Sequence, residues 1–67
     1  MSALISVNTA AHRLDVHPDD VIDAAGLTLG ELEHAAEQHG LSAHSYREVP
    51  VLTEHDVDVI TARLTRP

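Results

Sequence analysis

The chain has 67 residues, with eleven acids against four basic residues, a formal net charge of −7 at pH 7 and no Cys. It is therefore one small domain without disulfide or thiolate–metal reinforcement, and its sign of charge disfavours non-specific binding to phosphate backbones. With one Tyr and neither Phe nor Trp, the core must come from Leu, Val, Ile and Ala, which suits close helix packing.

Residues 1–8 form an apolar lead-in, in which Leu4, Ile5 and Val7 are expected to cover an edge of the core. Asn8 can cap a first helix over 9–15, with Val7, Ala11 and Leu14 spaced along one apolar face. Val16-His17 makes a corner, because Pro18 fits the first position of a second helix, 18–25. Asp19 and Asp20 fall in the first turn of that helix, at the positive end of its dipole. Val21, Ile22 and Ala25 are its buried side, and Gly26 ends it.

The third helix, 29–39, has both ends written into the sequence. Thr28 is its N-cap, Glu31 at N3 can reach back to the cap, and Leu27 and Leu32 form a hydrophobic staple. Gly40 supplies the left-handed residue after the helix, and Leu41 is expected to fold back onto Ala36. Leu29, Leu32, Ala35 and Ala36 make the apolar stripe, while Glu31, Glu33, Glu37 and Gln38 face water. Residues 41–52 read as a loop or a minimal β wing, with Val49 and Val51 alternating around a Pro50 that restricts any strand to an edge. Thr53 then caps a last helix, 54–64, with Asp56 at N3 and a Leu52/Val57 staple. Val57, Ile60 and Leu64 line its core side, and Arg63 and Arg66 sit towards its C-terminal end. The expected fold class is mostly α: a single four-helix domain that begins with a helix-turn-helix.

Little in the chain points to chemistry. The six His lack the spacing of a metal site: His34 and His39, five apart, do not share a helix face, and there is no HExxH. Ser42, His44 and Ser45 are neighbours without an orienting acid, and no nucleophile elbow or Gly-rich phosphate loop occurs. No catalytic residue, metal ligand or cofactor is assigned, and the chain is read as non-enzymatic. No apolar run approaches the ~20 residues of a membrane span and no signal-peptide layout is present, so a cytoplasmic protein without membrane contact is expected.

The acids are unevenly placed. Asp15, Asp19, Asp20, Asp23, Glu31, Glu33 and Glu37 lie in a stretch without Arg. The acidic face of helices two and three, with Asp19, Asp20, Asp23, Glu31 and Glu33 foremost, is the candidate surface for a protein partner, best a basic one.

Ile5-Ser6-Val7, Ala10-Ala11, Leu14, Val16, Pro18, Val21 and Gly26, with Tyr46 and the stretch from Val49 to Val57, resemble the DNA-binding domain of MerR-type regulators and phage excisionases. The resemblance implies a winged helix-turn-helix in which helix two reads the groove and the wing meets the backbone. Here that helix reads Pro18-Asp19-Asp20-Val21-Ile22-Asp23-Ala24-Ala25, with carboxylates where phosphate-binding or base-reading side chains would stand. Ala36, Gly40-Leu41 and Asp56-Val57 carry a second likeness, to the peripheral subunit-binding domain of acyltransferases and to the C-terminal domain of nucleoid-bridging proteins. The favoured reading is a regulatory protein-interaction module that kept the fold and lost its DNA contacts. The alternatives are a DNA-binding regulator or excisionase-like recombination directionality factor acting through Arg13, Arg47, Arg63 and Arg66, and a structural subunit of a larger assembly, viral ones included. Homo-oligomerisation is left open.

Overall fold

The computed structural model describes residues 3–65. The first helix, α1, spans Val7–Leu14 and begins earlier than the expected 9–15. Ser6, not Asn8, is its cap: the Ser6 Oγ accepts the Thr9 N–H at 3.1 Å. The reason lies in the apolar spacing. A helix that starts at Val7 puts Val7, Ala10, Ala11 and Leu14 on one stripe, and the first three of these are buried. A cap at Asn8 would leave Val7 outside the helix.

Helix α1 stops at Leu14 because Asp15 adopts a left-handed conformation, φ 56°. The Asp15 and Val16 N–H groups then close onto the His12 and Ala11 carbonyls at 3.3 and 3.0 Å, which is a Schellman ending made without glycine. Helix α2, Pro18–Ala25, has the expected bounds. His17 caps it through Nδ1, which accepts the Asp19 N–H at 3.1 Å, and Gly26 ends it at φ 71°. Helix α3, Leu29–Gln38, is capped by the Thr28 Oγ1, which accepts the Glu31 N–H at 3.2 Å; the return bond from Glu31 is not formed. Gly40 is left-handed as expected, and the Leu41 N–H reaches the Ala36 carbonyl at 2.9 Å. The Leu41 side chain nevertheless stays exposed.

Residues 41–52 do not build a wing of their own. A 3-10 segment, Ala43–Glu48, packs against α3. The chain then enters a short strand, β2 (Pro50–Leu52), which pairs antiparallel with β1 (Ile5–Ser6), Ile5 facing Leu52 and Ser6 facing Pro50. The lead-in is thus half of a two-stranded sheet. With only two strands both are edges, the setting in which a strand proline such as Pro50 is tolerated.

Helix α4, Glu54–Thr65, follows. Its capping box is complete: the Thr53 N–H donates to Asp56 Oδ2 at 2.9 Å and the Asp56 N–H to Thr53 Oγ1 at 3.0 Å. Ile5, Leu52, Val7, Ala10, Ala11, Val21, Leu32, Val57 and Ile60 meet in one core, to which every α-helix and both strands contribute. The fold is mostly α, four α-helices with a 3-10 segment and a minimal sheet among the described residues. Two expected core residues lie outside it. Leu4 alternates out of the strand that points Ile5 inward, and Leu29 is 51 % exposed.

The Thr53 backbone and hydroxyl hold the Asp56 carboxyl below the usual aspartate range. A carboxyl depressed on folding contributes stability that is present above its unfolded pKa, about 3.9, and is lost as pH falls through the folded value. In urea titrations, wild type is therefore expected to be more stable than Asp56→Asn at pH 7. That gap should close below about pH 4. A gap independent of pH would show that the charge plays no part in the cap.

Candidate protein-binding groove

Of the five candidate acids, Asp19 and Asp23 line a common groove and Asp20, Glu31 and Glu33 do not. On α2, Asp19 and Asp23 are one turn apart and share a side with Ile22 between them. Leu27 follows the Gly26 turn, Leu29 opens α3, and Tyr46 comes over from the 3-10 segment. These six residues line a shallow groove of about 360 Å³ with Ile22, Leu27, Leu29 and Tyr46 as its apolar wall and the two aspartates at its rim. Asp20, a third of a turn from Asp19, lies outside this lining and is exposed, as is Glu31; Glu33 is half-buried and also outside it.

Leu29 is the residue whose role sequence spacing obscures. It falls on the Leu32–Ala36 stripe, but it is the first residue of α3. Helical side chains lean towards the N-terminus, so a first-turn leucine overhangs the end of the core. Ile22, Leu27 and Tyr46 are partly buried against the core and also line the groove. A large apolar residue at the very start of a helix, beside an acidic neighbour helix, was the available signal.

Each described arginine is engaged within the domain. Arg13 Nη1 donates to both carboxylate oxygens of Glu54, at 3.3 and 3.2 Å, joining the end of α1 to the start of α4. Arg47 Nη2 donates to Asp19 Oδ1 at 2.8 Å, and its guanidinium stands 5.4 Å from the centre of the Tyr46 ring. Desolvation works to lower the Arg47 pKa, but Asp19 and Tyr46 outweigh it and raise it, so the guanidinium stays charged. Arg63 donates to the Ala24 carbonyl near the C-terminal end of α2. Arg66 lies outside the described residues. Asp23 forms no ion pair among the described residues, whereas Asp19 is answered by Arg47.

A second cleft, about 270 Å³, lies on the other side of Leu27, between β2 and α4, with Val51, His55, Val59 and Arg63 among its lining. Its polar groups are largely committed: Asp56 to the helix cap and Arg63 to a backbone carbonyl. Among the described residues no three His, Asp or Glu side chains converge as metal ligands would, and no helix is long and apolar enough to cross a membrane. No protein-family model, curated protein or solved structure matches the chain.

Proposed function

We propose that this domain is a small acidic, non-enzymatic interaction module of helix-turn-helix type, cytoplasmic and regulatory, that binds a protein partner through the α2–α3 groove. One observation carries the reading: an apolar groove is rimmed by aspartates on a domain whose described arginines each contact an acceptor of the domain itself. Such a surface repels phosphate and attracts a cationic protein face, while its apolar wall gives that face something to desolvate. The excisionase-like reading needs cations free to meet a backbone, and Arg13, Arg47 and Arg63 are spent on Glu54, Asp19 and the Ala24 carbonyl.

The experiment compares wild type with the Asp19/Asp20/Asp23→Asn variant in two assays: affinity capture of the native partner, and gel shift with duplex DNA at low salt. Partner capture by wild type that the variant loses, with no gel shift, is the expected result. A variant that keeps every partner, or a DNA complex that weakens steeply with salt, overturns the reading.

A further inference from the structure

Resting on that reading, we infer that the occupant of the α2–α3 groove is a basic amphipathic helix, which lays aliphatic side chains against Ile22, Leu27, Leu29 and Tyr46 and sets a cation on Asp23. The domain already contains a small version of this contact. Arg47, 28 positions from Asp19 in the chain, seats its guanidinium on the Asp19 carboxylate beside the Tyr46 ring. Asp23 lies one helical turn further along the same rim and has no such partner among the described residues. A guanidinium arriving from outside would there meet the same kind of acid-and-apolar setting that Arg47 already occupies.

Chemistry and shape narrow the occupant. A second copy of this chain would bring the same excess of acids, eleven against four, onto an acidic rim. Nucleic acid is repelled for the same reason. Among peptide-recognition modes, strand addition needs an open sheet edge, and the groove is lined by helix, turn and 3-10 residues only. Polyproline recognition needs several aromatic walls, and Tyr46 is the sole aromatic residue of the chain. A helix laid in a groove needs apolar contacts and flanking charge, which are present. The half-exposed Leu29 is the piece of that wall whose exposure an occupant would end.

The test uses the full chain, isotope-labelled, and a synthetic helical peptide with Leu along one face and Arg beside it. The same peptide with its residues scrambled is the control. At about 0.15 M salt, exposed charges more than about 8 Å apart are largely screened, so bulk attraction does not mimic a seated cation. Amide shifts are expected to centre on Ile22, Asp23, Leu27, Leu29 and Tyr46. Asp23→Lys should weaken binding about tenfold or more, and Leu29→Ala about fivefold. Asp58→Lys, the same charge change on the exposed side of α4, should stay within about twofold.

Equal losses from Asp23→Lys and Asp58→Lys, or equal binding of the scrambled peptide, would reduce the effect to net charge and overturn the inference. So would shifts centred on Val59, or a dimer that Leu29→Ala dissolves. If the native partner is captured and lost with Asp23→Lys while no helical peptide binds, the interaction module stands and its helical occupant does not.

Discussion

Leu32→Ala is expected to remove most of this domain's stability, whereas Leu29→Ala, the same chemical change on the same helix, leaves the fold nearly untouched. Leu32 is 1 % exposed and belongs to the central core, so truncating it deletes buried methyl groups and leaves a cavity among Val, Ile and Ala side chains that relax only in part. Such truncations cost about 2–5 kcal/mol. A domain of this size has about 3–10 kcal/mol in total, and each kcal/mol moves the midpoint by about 4–8 °C. Thermal denaturation followed by circular dichroism should show the Leu32→Ala midpoint at least about 10 °C lower, or no cooperative transition at all. Leu29→Ala should fall within about 0.5 kcal/mol of wild type, as exposed substitutions do. Equal losses at the two positions would mean that Leu29 is structural and that the α2–α3 groove is an edge of the core instead of a docking surface.

Those two leucines show where local sequence information ends. Helix limits written in backbone chemistry were readable in advance: Thr28 and Gly40 around α3, Pro18 and Gly26 around α2, the Thr53–Asp56 box before α4. Each depends on residues within one turn of the helix end. The start of α1 is ambiguous in the sequence, because Ser6 and Asn8 are both good caps and only the burial of Val7 decides between them. The left-handed Asp15 has no marker comparable to glycine. The β1–β2 pairing joins residues 5–6 to residues 50–52, and strands that short have no periodicity to read.

The site divides in the same way. The i,i+4 spacing of Asp19 and Asp23 puts them on one side of α2 as soon as that helix is recognised. That Arg47 would meet Asp19, Arg13 meet Glu54 and Arg63 reach Ala24 depends on tertiary placement across 28, 41 and 39 positions. Those contacts change the meaning of the charge. Read as a list, the arginines are a potential cationic surface; in the fold, the described ones are matched to Glu54, Asp19 and the Ala24 carbonyl.

The segment before α4 gives the other large expected effect. A local wing with Val49 and Val51 alternating around Pro50 would put both valines on one face and make them equally important. In the fold they differ: Val49 is fully buried at the junction of the 3-10 segment with β2, while Val51 is half-buried along the β2–α4 cleft. Val49→Ala is therefore expected to cost about 2 kcal/mol, from the lost transfer of two methyl groups at about 0.8 kcal/mol each plus the cavity they leave. Val51→Ala, which uncovers groups already in part solvated, should cost less than about 1 kcal/mol. Urea denaturation with an unchanged slope reads both numbers directly. Equal costs would fit a free-standing hairpin. A marked excess at Val49 fits a chain that turns inward after the 3-10 segment, the segment that carries Tyr46 and Arg47 to the groove, before β2 pairs with Ile5–Ser6.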